Sequence, residues 1–106
     1  MSGEDAFRPP RFDVTVAEGP ERTTIALSGE LDLVSAPQLT EALAGAAGRP
    51  ITIDLRELAF MDSTGLRALL GAARDHGELK LAGPLQPPVQ RLLELTQTLT
   101  ILPFED

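Results

Sequence analysis

The spacing of apolar residues switches repeatedly between every second residue and every third or fourth, and this alternation constrains the fold more than any other feature. Alternating apolar residues predict five strands, at 12–16, 23–28, 51–55, 79–81 and 99–101. Helical stripes predict three helices between the later strands, at 39–47, 66–73 and 89–96. The predicted order is therefore two strands followed by three helix–strand units, which is typical of a single α/β domain.

The connections between these elements predict a mixed sheet. The link between the first two strands contains Gly19 and Pro20, which favours an antiparallel hairpin. Helices that connect the later strands imply parallel neighbours, so we expect a mostly parallel five-stranded sheet with an N-terminal antiparallel hairpin. Because the strands alternate instead of forming continuous apolar runs, we expect the helices mainly on one face. The other face should be at least partly solvated and carry polar residues, namely Asp13, Thr15, Thr52, Asp54 and Lys80.

Length and composition limit the chain to one small domain without cysteine chemistry. Its 106 residues are 42% hydrophobic, which is ordinary for a chain with one core. Residues 1–10, which end in two prolines, are predicted to be a flexible lead-in, and residues 11–106 to form the domain. The absence of cysteine excludes disulfides, thiol catalysis and Fe–S clusters. An acidic start and the absence of a run of about 20 apolar residues favour a cytoplasmic protein that does not insert into membranes.

Charge and residue chemistry argue against several function classes. A net charge of −7 and scattered basic residues disfavour nucleic-acid binding. The simpler explanation of the negative charge is solubility; the alternative is a partner with a basic face. The single histidine, His76, argues against a zinc site, and it is expected about three helical turns from Ser63, too far for a proton relay. Carboxylates such as Asp54 fit a solvated strand face. We therefore expect no catalytic residue, no metal and no cofactor.

The segment that joins the third predicted strand to the second helix carries the most specific local signal. With Asp62 as the N-cap, Met61 and Leu66 have the spacing of a hydrophobic staple. An N-cap at Ser63 would instead place Arg67 where the staple needs an apolar residue. We therefore expect Ser63 to be the first helical residue, with a hydroxyl that is not used as the cap and points outward beside free backbone N–H groups.

Two interpretations of Ser63 stay open at this point. Serine is a preferred residue at helix starts, so Ser63 needs no role beyond helix initiation. Alternatively, Ser63 is a phosphorylation site, because a helix N-terminus holds an anion with little penalty to the fold. A phosphoryl group adds about −1.5 to −2 charges at pH 7, so the modified loop would stay folded but match an acidic or apolar partner poorly.

A second segment, residues 29–34, precedes the first predicted helix and is expected at the same end of the sheet as Ser63. Leu31 should point into the core, whereas Leu33 and Val34 are candidates for an exposed patch that faces a partner. Ser35 and Gln38 have the spacing of a capping box, which predicts that the first helix begins at Ser35.

At these two segments the chain resembles the STAS family, specifically the anti-sigma factor antagonists of bacteria. The resemblance rests on Gly29-Glu30-Leu31-Asp32 and on Asp62-Ser63-Thr64-Gly65 after the strand Ile53-Asp54-Leu55, together with segments 81–84 and 89–93. It covers nearly everything between residues 12 and 104. The chain departs from the family pattern in a shorter segment at 74–79 and in the absence of a glycine at 95–98.

The resemblance implies a partner switch. Unmodified proteins of this kind bind an anti-sigma factor that is also a serine kinase and thereby free the sigma factor; phosphorylated, they release it, and a serine phosphatase would reset the site. Ser63 takes the place of the phosphorylated serine. The implied docking surface consists of Gly29, Glu30, Asp32, Leu33, Val34, Asp62, Ser63, Thr64, Gly65 and Arg67.

The same fold has an alternative use. STAS domains also serve as constitutive scaffold subunits of transporters or stress-signalling complexes, and in such a subunit Ser63 would never be modified.

Overall fold

The computed structural model describes residues 12–105, so the predicted lead-in at 1–10 lies outside the described residues. The secondary-structure elements are, in chain order, β1 (Asp13–Glu18), β2 (Thr23–Leu31), α1 (Ala36–Gly45), β3 (Ile51–Met61), α2 (Ser63–Asp75), β4 (Leu79–Ala82) and α3 (Pro87–Leu95). Each predicted helix is present. No helix within the described range is long and apolar enough to cross a bilayer.

The strands form one mixed sheet in the order β1-β2-β3-β4. β1 is antiparallel to β2, and the connecting turn is closed by the Gly19 amide, which donates to the Arg22 carbonyl at 2.9 Å. β2, β3 and β4 are mutually parallel, as the intervening helices require. The predicted hairpin and the mixed, mostly parallel sheet are therefore confirmed.

The predicted fifth strand at 99–101 is wrong. The amides of Ile101 and Leu102 both donate to the Thr98 carbonyl at 3.1 Å, so this segment forms a turn instead of a strand. Contact with β4 comes a few residues later, where the Leu81 amide donates to the Pro103 carbonyl at 2.9 Å. Only an isolated bridge forms there, between Leu81 and Phe104, because proline has no amide with which to extend a ladder.

The core lies between the sheet and the apolar faces of the helices. Side chains no more than 1% exposed come from three strands and all three helices; they include Ile25, Leu27, Leu39, Ile53, Leu55, Leu69, Leu81, Val89 and Leu93. β3 lies between β2 and β4 and is the longest strand. Its length carries the chain across the domain to the N-terminus of α2, which it therefore positions.

The face expected to be solvated is open except at one residue. Asp13, Thr15 and Lys80 are exposed and Asp54 is half-buried, as expected. Thr52 is buried, contrary to expectation. The Arg22 guanidinium donates to the Thr52 hydroxyl at 2.9 Å, and that hydroxyl donates to the Glu105 carboxylate at 3.4 Å, so long polar side chains cover this position.

The end of α3 differs from its predicted pattern. Leu95 and Thr96, the last residues of the helical stripe predicted at 89–96, are both exposed. The helix ends at Leu95, and Gln97 after it has φ 59°, the left-handed conformation usual for a glycine that follows a helix. Gln97 therefore adopts the conformation that a glycine usually takes after a helix.

We expect Gln97→Gly to raise the free energy of unfolding by about 1 kcal/mol, because glycine adopts this conformation without a Cβ clash while losing some chain entropy on folding. Urea unfolding of the purified variants measures the change. Gln97→Ala, which keeps the Cβ, should be no more stable than the parent. Equal stability of the glycine and alanine variants would contradict the explanation.

Candidate functional site

The N-terminus of α2 is fixed by Asp62, the single residue between β3 and the helix. Asp62 is extended, and its carboxylate accepts a hydrogen bond from the Gly65 amide at 2.9 Å. The Leu66 amide donates to the Asp62 carbonyl at 2.9 Å and closes the first helical turn. Met61 and Leu66 are both buried in the core cluster. Asp62 is thus the N-cap, which confirms the prediction from the staple spacing.

Ser63 is the first residue of α2 and is exposed. Asp62 satisfies the amides of Gly65 and Leu66, whereas the amides of Ser63 and Thr64 find no acceptor among the residues that the structure describes. Such amides carry the positive end of the helix dipole. The Ser63 hydroxyl therefore lies at the surface beside N–H groups that can stabilise an anion.

Gly65 allows α2 to approach the end of β2 closely. It is buried, so it presents little surface of its own. A Cβ at this position would lie 2.5 Å from the Leu31 carbonyl oxygen and 2.8 Å from the Met61 Cγ. Only glycine fits here without a backbone shift, which explains why a glycine follows two residues after Ser63.

The segment at 29–34 is in part a strand. β2 continues through Leu31 instead of ending near Ser28, so Gly29 and Glu30 belong to the strand and not to a loop. The ladder with β3 is irregular between Gly29 and Glu30, and Gly29 has φ 90°. The bulge needs this left-handed conformation, which glycine adopts at no steric cost.

The two segments singled out in the sequence meet at one end of the sheet. Glu30 pairs with Phe60 and Leu31 with Met61, because β2 and β3 are parallel and end together. The Asp62 amide donates to the Leu31 carbonyl at 3.1 Å and joins the start of α2 to the end of β2.

The turn between β2 and α1 is held by Asp32 and Ser35. The Asp32 carboxylate accepts from the amides of Val34 and Ser35 at 3.0 Å each, and the Ser35 hydroxyl accepts from the Asp32 amide at 2.9 Å. The same hydroxyl donates to the Glu30 carbonyl at 2.8 Å. The capping box predicted at Ser35 and Gln38 is therefore wrong, because the Ser35 side chain makes no cap bond to α1. The reciprocal pair lies one turn earlier, at Asp32 and Ser35.

This pinned turn exposes two apolar side chains. Leu33 is 71% exposed and Val34 84%, whereas Leu31 is fully buried, as the sequence indicated. Phe60, across the ladder from Glu30, is 42% exposed and was not among the predicted docking residues. Its alternation with buried Met61 is the signal that could have identified it.

The polar members of the predicted docking surface are exposed or half-buried. Arg67 is exposed one turn beyond Ser63 on α2. Glu30, Asp32, Asp62 and Thr64 are half-buried. The predicted docking surface therefore combines the exposed apolar side chains of Leu33 and Val34 with three carboxylates and one guanidinium.

Hydrogen bonds from the Ser35 amide, and further ones from the Ser35 hydroxyl and the Val34 amide, lower the pKa of Asp32. The ionised carboxylate thus contributes stability above its unfolded pKa of about 3.9 and loses it as the pH falls through the lower folded value. We expect Asp32→Asn to be less stable than the parent at pH 7, and the difference to shrink below about pH 4. Urea unfolding from pH 7 to pH 3 measures this. A difference that stays constant with pH would contradict the electrostatic cause.

Asp54 and His76, the titratable side chains considered above, make other contacts or lie far from Ser63. Asp54 forms an ion pair with Arg56 at 2.8 Å. Hydrogen bonds from the Arg56 side chain lower the pKa of the Asp54 carboxyl. His76 caps the other end of α2, about 20 Å from Ser63 along a helix of this length. Within residues 12–105 no three His, Asp or Glu side chains are grouped to hold a metal ion. The site can bind a partner and present a hydroxyl.

Comparison with known proteins identifies the family. The family model described as Mlab, STAS domain, matches residues 14–103. The chain belongs to the STAS domain family. An anti-sigma F factor antagonist of Paenibacillus polymyxa is 34% identical over 90 residues, which cover 77% of this chain and 76% of the relative. An anti-sigma-B factor antagonist of Bacillus subtilis (strain 168) is 33% identical over 91 residues, which cover 80% and 83%.

Solved structures share the fold of this STAS domain. An anti-sigma factor antagonist from Mycobacterium paratuberculosis has a TM-score of 0.78 at 26% identity, covering 89% of this chain and 85% of that one. The unphosphorylated form of the anti-sigma factor antagonist SpoIIAA has a TM-score of 0.64 at 25% identity, covering 91% and 88%. These relatives are regulatory binding proteins, in agreement with the expectation that the domain is not an enzyme.

Proposed function

We propose that this STAS domain is a cytoplasmic anti-sigma factor antagonist whose binding is controlled by phosphorylation of Ser63. In the unmodified state it binds an anti-sigma factor and frees the sigma factor. The observation that carries the proposal is the exposed Ser63 hydroxyl at the first position of α2, joined through the Asp62–Leu31 hydrogen bond to the strand end that precedes Leu33 and Val34. A modification of Ser63 is therefore made beside the docking surface.

The electrostatics of the site support a switch that leaves the fold intact. A phosphoryl group on Ser63 would add about −1.5 to −2 charges beside the Asp62 carboxylate. The free amides at the start of α2 stabilise that charge, so α2 need not unfold. A docked partner would have to desolvate the new charge, and each tenfold loss of affinity requires only about 1.4 kcal/mol.

The kinase in this proposal is the anti-sigma factor itself, acting on a serine that it contacts when docked. Ser63 is exposed and thus accessible to a kinase active site, whereas the neighbouring Thr64 is half-buried. A serine phosphatase would return the domain to its binding state. SpoIIAA, which shares the fold, has been solved in both an unphosphorylated and a phosphorylated form.

Displacement of the sigma factor tests the proposed function. The unmodified protein is added to a complex of its anti-sigma factor with the sigma factor, and free sigma factor is measured by gel filtration. We expect release by the parent and by Ser63→Ala, since alanine adds no charge to the docking surface. Release by neither protein would overturn the antagonist role and would favour a constitutive STAS subunit of a larger complex.

A further inference from the structure

The two edges of the sheet are treated differently. At the β4 edge the chain's own C-terminal segment pairs with the strand, because the Leu81 amide donates to the Pro103 carbonyl at 2.9 Å and the Glu105 amide donates to the Leu81 carbonyl at 2.8 Å. The opposite edge is β1, which has no strand on its outer side among residues 12–105. An open edge of this kind presents a row of backbone donors and acceptors that another strand can use.

The hydrogen-bond pattern shows which groups of β1 face outward. The Gly19 amide points toward β2, where it donates to the Arg22 carbonyl at 2.9 Å. Backbone groups alternate in direction along a strand, so those of Asp13, Thr15 and Ala17 also face β2. The amides and carbonyls of Val14, Val16 and Glu18 therefore face the open edge.

The side chains of β1 define what could pair there. Val16 is 48% exposed although its neighbour on the same face, Val14, is partly buried against the core. The strand has neither lysine nor proline, the residues that most often block pairing at an edge. Its two ends carry exposed carboxylates, Asp13 and Glu18, five positions apart.

We propose that β1 accepts an extended segment of a basic partner protein as an added strand. A β-branched residue of the segment covers Val16, and two Lys or Arg residues five positions apart lie opposite Asp13 and Glu18. Opposite charges across a strand pair are favourable and like charges are unfavourable. A second copy of this chain fits less well, because it brings its own carboxylates and a further net charge of −7 to the same edge.

This interaction is independent of Ser63, so the two proposals fail separately. The probe is the capped peptide Lys-Thr-Val-Thr-Val-Lys, and the control peptide has glutamate at both ends. Amide hydrogen exchange of the full chain is followed by NMR with and without each peptide. We expect the lysine peptide to slow exchange at Val14, Val16 and Glu18 at least fivefold, and the glutamate peptide to have no effect. Ser63→Asp should respond as the parent does.

Matched charge variants test the electrostatic part. We expect Asp13→Asn with Glu18→Gln to weaken binding of the lysine peptide by about threefold to tenfold. The control combines Glu41→Gln with Glu78→Gln, two exposed carboxylates on α1 and just before β4, which reduces the net negative charge by the same amount. The control should bind as the parent does.

Several outcomes would overturn the proposal. Slow exchange at Val14, Val16 and Glu18 in the free monomer would show that the chain covers this edge itself. Protection that appears only as sedimentation detects a dimer would assign the edge to a second copy. Equal binding of both peptides, or equal weakening by both double variants, would show that Asp13 and Glu18 do not select the partner.

Discussion

Replacing Gly65 by alanine is expected to lower the free energy of unfolding by about 2 kcal/mol or more, because an added methyl group overfills this contact. The new Cβ would lie 2.5 Å from the Leu31 carbonyl oxygen and 2.9 Å from the Leu31 Cγ. The same Leu31 carbonyl oxygen accepts a hydrogen bond from the Asp62 amide, so it cannot move away from a new Cβ without disturbing that bond. Urea unfolding of parent and variant measures the loss.

Gly71 provides the matched control within the same helix. A Cβ at Gly71 would meet only the end of the Arg74 side chain at 3.8 Å, which is ordinary contact. Gly71→Ala should therefore raise the free energy of unfolding by about 0.5–1 kcal/mol through helix propensity alone. A similar change for both variants, in either direction, would contradict the close approach at Gly65.

Ser63→Asp is expected to weaken binding to the anti-sigma factor by at least about tenfold. Ser63→Asn, whose side chain is isosteric with aspartate but uncharged, should weaken it by less than about threefold. The difference isolates the charge, because the two side chains have nearly the same shape. The free energy of unfolding of Ser63→Asp should not fall together with its affinity. An acidic residue in the first turn of α2 interacts favourably with the helix dipole, so the aspartate variant should be as stable as the parent or more stable by about 0.3–1 kcal/mol.

Titration calorimetry against the anti-sigma factor and urea unfolding together separate these effects. An aspartate variant that binds the anti-sigma factor more weakly and is also less stable to urea would indicate damage to the fold instead of repulsion at the docking surface. Equal affinity of the aspartate and asparagine variants would remove the electrostatic basis of the proposed switch.

The start of α2 could be predicted from sequence because its signals are local and agree with one another. Met61 and Leu66 fix the staple spacing, which leaves Asp62 as the only consistent cap. α1 also begins where the sequence indicated, with Ser35 as its N-cap, but the side-chain hydrogen bonds of Ser35 could not be predicted, since Asp32–Ser35 and Ser35–Gln38 have the same spacing. The Ser35 hydroxyl donates to the Glu30 carbonyl, which favours the Asp32–Ser35 pair. That carbonyl follows the bulge near Gly29, which a local sequence pattern does not reveal.

The edges of the sheet were the least predictable part of the fold. Leu99 and Ile101 alternate as a strand would, but the amides of Ile101 and Leu102 donate to the Thr98 carbonyl in a turn and are not available for a strand ladder. Thr52 looked solvated because alternation describes one strand at a time, whereas Arg22 and Glu105 reach it from distant parts of the chain. Phe60 was missed for a different reason: the predicted strand ends at residue 55, whereas β3 continues to Met61 and its alternation places Phe60 on the open face.

The most direct test of the central claim is the mass of the protein after incubation with ATP and its anti-sigma factor. We expect one added phosphate in the parent, located at Ser63 by peptide mapping, and none in Ser63→Ala. The phosphorylated protein should then elute free of the anti-sigma factor on gel filtration while keeping the unfolding midpoint of the unmodified form. A phosphate at another residue, or a Ser63-phosphorylated protein that stays bound, would contradict the account.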